Sequence, residues 1–120
     1  IKPMVNQLKL CPGVTQPEIV DYCKKNGIVV EAYSPFGQGA IFSSPEMKAL
    51  SAKYNKSMGQ LWLRWCLQLG FVSLPKSANP MRIKDNANIF DFEISKEDMD
   101  IISNLEGYCG DAPDPDNILF

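Results

Sequence analysis

The sequence predicts an α/β fold in which helices pack on a parallel β-sheet. Strand-like and helix-like segments alternate along the 120 residues, which is the pattern of right-handed βαβ units. The run "IVVEAYS" is β-branched and mostly apolar, as expected of a strand covered on both faces. Only three strands can be assigned, and three parallel strands leave both sheet edges open. We therefore expect the later part of a larger α/β barrel or doubly wound sheet.

The first half of the chain contains two of these strands. Pro3–Leu10 alternates apolar and polar residues and ends at the turn "CPG". The segment "TQPEIVDYCKKNG" has a proline in its first turn and Gly27 as its stop, so it predicts a helix. Ile28–Ser34 is the second strand, and Pro35–Ser44 is predicted to be a Gly-rich loop.

The second half begins with two helices, one opened by Pro45 and one capped by Ser57. The third strand, Phe71–Pro75, follows and leads into the predicted helices "PMRIKDNANI" and "SKEDMDIISNL". Ser95 and Asp98 are three residues apart at the start of the last helix, close to a capping box. The tryptophans of "QLWLRWCLQ" recur at helical spacing, which predicts core packing rather than substrate stacking.

The composition excludes several classes of function. A hydrophobic share of 45% and a charged share of 22% are typical of a globular domain. A net charge of -2 gives no general attraction to nucleic acid or to a membrane surface. The four cysteines are predicted to be reduced thiols rather than disulfides or metal ligands, which indicates the cytoplasm. They are Cys11, Cys23, Cys66 and Cys109. The absence of histidine argues against a zinc site.

Polar residues occur at the carboxyl ends of the predicted strands, which is the usual place for a ligand in α/β folds. These residues are an amide pair, a phenol with a hydroxyl, and a cation with a hydroxyl: Asn6 and Gln7, Tyr33 and Ser34, and Lys76 and Ser77. We expect them to meet at one rim of the sheet. On pattern alone, Tyr33 is equally well a stacking ring or an interior aromatic.

The stretch "SLPKSANPMRIKDN" predicts an anion site, because a loop after a late strand runs into a helix N-terminus. Lys76 supplies a charge, Ser77 a hydroxyl, and Arg82 a fork that holds two phosphate oxygens. Asp85 and Asn86 lie one helical turn further on and could reach a base edge. The alternative is a surface loop in which Arg82 and Asp85 form a simple salt bridge.

The segments "VNQ", "GIVVEAYSPFG", "LRWCLQLGFVSLPKSANPMRIKDN" and "FDFEISKEDM" resemble the aldo-keto reductase family, including bacterial 2,5-diketogluconate-reductase-like members. The resemblance implies a (β/α)8 TIM barrel that binds NADP(H) without a Rossmann motif. It places the chain at the last three βα units of that barrel, with residues 1–106 on the cofactor-binding side and residues 107–120 as a tail.

The resemblance also implies roles for individual residues. Gln7, beside Asn6, holds the nicotinamide carboxamide, and Tyr33 stacks on the nicotinamide ring. The pyrophosphate contacts are Ser34, Phe36 and Gln38. The residues assigned to the adenosine 2′-phosphate are Lys76, Ser77 and Arg82, together with Ala78 and Asn79 of the same loop. Asp85 and Asn86 contact adenine. Three positions depart from the family pattern, with Cys11 replacing a histidine, Gln38 a serine and Asp85 a glutamate.

The resemblance assigns catalysis to a tyrosine, lysine, aspartate and histidine on strands that precede Ile1, and Tyr33 is not this tyrosine. The chain also begins without methionine, so we expect it to be incomplete and inactive alone. Its partners would be the missing strands or a second copy, and a small carbonyl substrate would bind through the full barrel. The alternatives are a non-catalytic nucleotide-binding module and a structural remnant that self-associates.

Overall fold

The computed structural model describes residues 1–33 and 37–110, without the side chains of residues 37 and 38. These residues form three strands, five α-helices and one 3-10 helix. In chain order they are β1 (Val5–Lys9), α1 (Pro17–Lys25), β2 (Val29–Tyr33), the 3-10 helix (Gly37–Ser43), α2 (Pro45–Tyr54), α3 (Met58–Gln68), β3 (Val72–Ser73), α4 (Pro80–Ala87) and α5 (Lys96–Ser103).

The strands form a parallel sheet in the order β1-β2-β3. Val5 pairs with Val29, and Glu31 pairs with Val72. The predicted α/β class and the predicted order of elements are confirmed. β3 is shorter than its predicted range, because the amide of Phe71 is bonded to the carbonyl oxygen of Cys66 at the end of α3. The segment predicted as a Gly-rich loop contains the 3-10 helix.

One face of the sheet packs against the helices. Val30 and Ala32 point to this side and are buried. α3 supplies much of the core, because Trp62 and Trp65 are both 0% exposed, as the sequence predicts. The indole N–H of Trp65 donates to the hydroxyl of Ser103 at 2.9 Å and so joins α3 to α5.

The other face of the sheet is bare in the part of the chain that the structure describes. Val5, Val29 and Val72 share this face, and each is nearly half exposed. The sequence predicts that β2 is covered on both faces, and the structure covers only one. The reason is that the helices described pack on a single side, whereas in a closed barrel the second face is the interior.

α4 is attached through the segment that follows it, since none of its side chains is buried. Arg64 of α3 donates to the carbonyl oxygen of Ile89 at 3.1 Å. The side-chain amide of Gln68 donates to the carbonyl oxygen of Ile94 and accepts from the Ile94 N–H. Polar groups on α3 therefore hold the backbone of the segment that follows α4. Among the described helices, none has the length and apolar character required to span a membrane.

Candidate functional site

A surface cavity of about 420 Å³ lies where the loop after β3, α4 and the start of α3 meet. The loop contributes Lys76 and Ser77, and α4 contributes Arg82, Asp85 and Asn86. The three α4 residues point into one cavity because positions three and four apart are neighbours on a helix surface. The structure thus brings together five of the residues predicted to bind an anion and its attached base.

The turn that begins α4 is held by two side chains. The Asn79 side-chain oxygen accepts from the N–H of Met81 at 2.9 Å and of Arg82 at 3.5 Å. The Ser77 hydroxyl accepts from the N–H of Asn79 at 3.1 Å. Asn79 is therefore the N-cap of α4. Its side chain occupies two backbone N–H groups that a phosphate at this helix N-terminus would otherwise bind. An anion in the cavity has to be held chiefly by side chains.

Lys76 and Arg82 form no salt bridge with any residue that the structure describes. The ion pairs among those residues are Lys53–Asp98 and Lys56–Asp91. The simple Arg82–Asp85 salt bridge, the alternative that the sequence left open, is not formed. Both cations are exposed at the cavity, so they can bind an anion without first breaking an ion pair. The Ser77 hydroxyl accepts one hydrogen bond and can still donate its proton.

The opposite wall of the cavity was not predicted from the sequence. It is formed by the end of the 3-10 helix and the start of α3: Phe42, Ser57, Met58 and Gly59. Ser57 and Gln60 form a capping box, with bonds of 3.1 Å and 3.0 Å. The capping signal at Ser57 is visible in the sequence, but nothing local indicates that this helix start faces α4.

The other predicted contacts lie on the sheet. Gln7 and Tyr33 share its bare face, and the Gln7 amide donates to the Glu31 carboxylate at 3.1 Å. Asn6 lies on the opposite face, with its side-chain nitrogen 3.5 Å from the sulfur of Cys23. The expectation that the amides of Asn6 and Gln7 meet at one rim is therefore wrong, because successive residues of a strand point to opposite faces.

Four predicted contacts remain. Ser34 and Phe36 lie outside the described residues, as does the side chain of Gln38. Ala78 is exposed in the loop before α4 and does not line the cavity. The described residues that were predicted to bind the two ends of the cofactor therefore lie in two groups, one on the bare sheet face and one at the cavity.

Comparison with known proteins identifies the family. The model of the Aldo/keto reductase family matches residues 1–106. The chain belongs to the aldo-keto reductase family. The glyoxal reductase of Bacillus subtilis is 49% identical to this chain over 120 residues. The match covers 100% of this chain and 44% of that protein. An uncharacterized oxidoreductase of Schizosaccharomyces pombe is 50% identical over 106 residues, 88% of this chain and 38% of its own length.

Solved aldo-keto reductase structures share the fold. A Gox0644 mutant in complex with NADPH superposes with a TM-score of 0.90 at 30% identity, over 100% of this chain and 45% of that one. A Bombyx mori aldo-keto reductase in complex with NADP gives a TM-score of 0.78 at 37% identity, over 86% of this chain and 37% of that one. The chain therefore spans less than half the length of these aldo-keto reductases.

Proposed function

We propose that this chain forms the NADP(H)-binding part of an aldo-keto reductase barrel that reduces aldehydes and ketones to alcohols. The observation that carries the proposal is the cavity at α4, where two cations stand beside a hydroxyl, a carboxylate and an amide and form no salt bridge with a described residue. A phosphate on the adenosine ribose requires charge and hydrogen-bond donors in this combination. The NADPH and NADP complexes of the related structures support the same cofactor.

In this proposal the residues of the chain bind and orient the cofactor. Lys76, Ser77 and Arg82 hold the 2′-phosphate, and Asp85 and Asn86 contact adenine. Gln7 and Tyr33, on the bare sheet face, receive the nicotinamide end. The bound cofactor supplies a hydride to the carbonyl carbon. Because the chain contains no histidine, the catalytic set that the family resemblance implies is incomplete here, and the chain alone is inactive.

The remaining strands of the barrel are the partner we propose for the bare sheet face and the open edge of β3. Val5, Val29 and Val72 are 46%, 48% and 46% exposed on this face. Leu67 and Phe90 add exposed apolar surface beside β3. The chain covers 37–45% of the length of the relatives described above, and the structure describes three strands where a closed barrel of this kind has eight. A cytosolic location is part of the proposal and rests on the four free thiols.

Two experiments together test the proposal: a cofactor titration of the chain, and a hybrid protein in which the chain replaces part of a relative. The chain, titrated with NADPH, is expected to shift and quench the cofactor's fluorescence, with much weaker binding of NADH. The chain is also substituted for the matching part of the Bacillus subtilis glyoxal reductase, and NADPH-dependent carbonyl reduction is compared with that of the unaltered relative. Activity in the hybrid supports the proposal. A chain that dimerises, binds neither cofactor and gives an inactive folded hybrid is instead the self-associating remnant.

A further inference from the structure

A second site lies where the loop after β1 contacts the segment after α5. The amide of Gly13 donates to the carbonyl oxygen of Ser103 at 3.2 Å, and a Cβ on Gly13 would collide with the carbonyl oxygen of Leu105. Further along, the Lys9 ammonium group is 3.7 Å from the position of a Cβ on Gly110. The two segments therefore run past each other in opposite directions.

Cys11 and Cys109 meet in the middle of this contact. Both residues are free and buried, and Cys109 lines a cavity together with Pro12 and Gly13, which directly follow Cys11. The two thiols are close enough for each to shift the pKa of the other. They lie almost the whole length of the chain apart in sequence, so their contact is created by the fold. Cys23 and Cys66 are also buried and free, but Cys23 is placed elsewhere, beside Asn6.

The two thiols differ in accessibility. Cys11 is 0% exposed, whereas Cys109 lines a cavity of about 240 Å³. Gly13, Glu106 and Gly110 line the same cavity and are themselves exposed, so small solutes can enter. A small oxidant that enters this cavity would therefore meet Cys109, whereas Cys11 does not line it.

The contact between the two thiols also shifts their pKa values in opposite directions. Hydrogen bonding with Cys109 raises the pKa of the Cys11 thiol, and burial acts in the same direction. Hydrogen bonding with Cys11 lowers the pKa of the Cys109 thiol, and the positive charge of Lys9 contributes in the same direction. A lowered pKa increases the fraction of reactive thiolate.

We propose that Cys11 and Cys109 form a dithiol site that a hydroperoxide oxidises to a disulfide, which ties the loop after β1 to the segment after α5. The thiolate of Cys109 attacks one oxygen of the hydroperoxide, the O–O bond breaks, and the departing oxygen takes a proton and leaves as water or an alcohol. Cys109 is then a sulfenic acid, oxidised by two electrons.

The thiol of Cys11 completes the reaction. Its sulfur attacks the sulfur of Cys109, the S–S bond forms, the S–O bond breaks, and the hydroxyl leaves as water with the proton from Cys11. With hydrogen peroxide the balance is two thiols and one peroxide to one disulfide and two water molecules. Apart from the hydroperoxide, the reaction uses only groups of this chain, and it does not depend on NADP(H) binding.

Peptide mapping of the reduced full chain tests the proposal. The folded chain is treated with hydrogen peroxide, denatured, alkylated and cleaved with trypsin and a Glu-specific protease, since cuts at Lys9 and Glu18 separate Cys11 from Cys23. We expect a peptide that joins Cys11 to Cys109, lighter by two hydrogen atoms and released by a reducing agent. Cys23 and Cys66 should remain fully alkylated. A link to Cys66, uniform loss of all four thiols or no loss of any thiol would overturn the proposal.

Single variants test the assigned order. Cys11→Ser should leave Cys109 as a sulfenic acid that a cyclic diketone traps. Cys109→Ser should slow oxidation of Cys11 by roughly ten-fold or more, because its thiol is buried. Cys23→Ser is the matched control and should form the Cys11–Cys109 link at the rate of the unaltered chain. A trapped sulfenic acid on Cys11 in preference to Cys109 contradicts the order, and the map of the unaltered chain decides the proposal if a variant does not fold.

Discussion

The side-chain amide of Gln60 donates a hydrogen bond to the carbonyl oxygen of Asn88, 2.9 Å away, and so joins the start of α3 to the end of α4. The same side chain completes the capping box with Ser57, which lines the cavity. One glutamine therefore closes the first turn of α3 and fixes the distance between the two walls of the proposed cofactor site. Because α4 buries no side chain of its own, we expect this bond to matter for both stability and binding.

Gln60→Met keeps the length of the side chain but removes its amide. The variant leaves the Asn88 carbonyl oxygen and the Ser57 N–H without their partner, which should lower the free energy of unfolding by about 1–3 kcal/mol. Urea denaturation of the chain measures this loss. Asn104→Ala, which removes an exposed amide bonded within its own helix, is the control and should change stability by less than about 0.5 kcal/mol. Equal effects of the two substitutions would show that the bridge to α4 contributes nothing.

Asp98 links α5 to α2. Its carboxylate accepts hydrogen bonds from the Lys53 ammonium group at 2.6 Å and from the Tyr54 hydroxyl at 2.5 Å, and these bonds, that of Lys53 first, lower its pKa below the ordinary value of 3.8. A carboxyl group whose pKa falls on folding stabilises the chain above its unfolded pKa. This stabilisation is lost as the pH drops through the lower pKa of the folded state.

Asp98→Asn should therefore lower the free energy of unfolding at neutral pH, by about 1.5–3 kcal/mol for charge-assisted bonds to a buried carboxylate. The difference from the unaltered chain should shrink as the pH falls from 3.8 through the lower pKa of the folded state, since both proteins carry a neutral group at this position below that lower pKa. Thermal unfolding at a series of pH values measures it. Asp100→Asn, an exposed change in the same helix, is the control. A difference that stays constant with pH would contradict the role of the charge.

Asp98 also shows why local sequence patterns predict the order of strands and helices but not the side-chain contacts between distant elements. The order of strands and helices follows from signals within a few residues, such as the proline that opens α2 and the glycine after α1. Ser95 does cap α5 as its sequence predicts. The carboxylate of Asp98, however, does not complete a capping box. It accepts hydrogen bonds from Lys53 and Tyr54, which lie more than forty residues earlier in the sequence. Contacts at this separation are set by packing and have no local signal.

The residues of the cavity show the same difference between contacts that are local in the sequence and contacts that are set by packing. Lys76, Arg82 and Asp85 are close in sequence, so loop and helix spacing suffices to bring them together. Phe42 and Met58 complete the cavity from other elements and could not be placed from the sequence. The 3-10 helix that carries Phe42 was missed because glycine permits many backbone conformations and its segment gives no periodic apolar pattern.

Arg82→Ala should weaken NADPH binding far more than NADH binding. A lost charge-assisted pair with the 2′-phosphate corresponds to about 1.5–3 kcal/mol, or roughly 10- to 150-fold in the dissociation constant. Fluorescence titration of both cofactors measures it. Lys84→Ala removes a cation from the same helix that does not line the cavity, so it controls for a general loss of positive charge. Equal losses for NADPH and NADH, or equal effects of the two variants, would contradict the assigned phosphate contact.

Gly13→Ala should destabilise the chain strongly. Gly13 has a φ of 79° and lies against the carbonyl oxygen of Leu105, whereas Gly70 has a φ of 81° with no atom within 4 Å of an added Cβ. Gly70→Ala should therefore cost only the left-handed backbone conformation, about 1–2 kcal/mol. Gly13→Ala adds a backbone collision to the same cost, and the difference between the two variants in urea unfolding isolates it. Equal losses in the two would mean that the segment after α5 moves away without cost.

The bare sheet face gives a prediction that separates the chain alone from the completed barrel. Val29 is 48% exposed, whereas its neighbour Val30 is 3% exposed against the helices. Val29→Asp should change the stability of the isolated chain by less than about 0.5 kcal/mol, because the carboxylate stays in water. In the hybrid with the Bacillus subtilis relative, the same substitution places an unpaired charge in the barrel interior and should cost more than about 3 kcal/mol. Val30→Asp should destabilise both proteins. If Val29→Asp is tolerated in the hybrid, this face is not the interior of a barrel. If it disrupts the isolated chain, a second copy already covers the face.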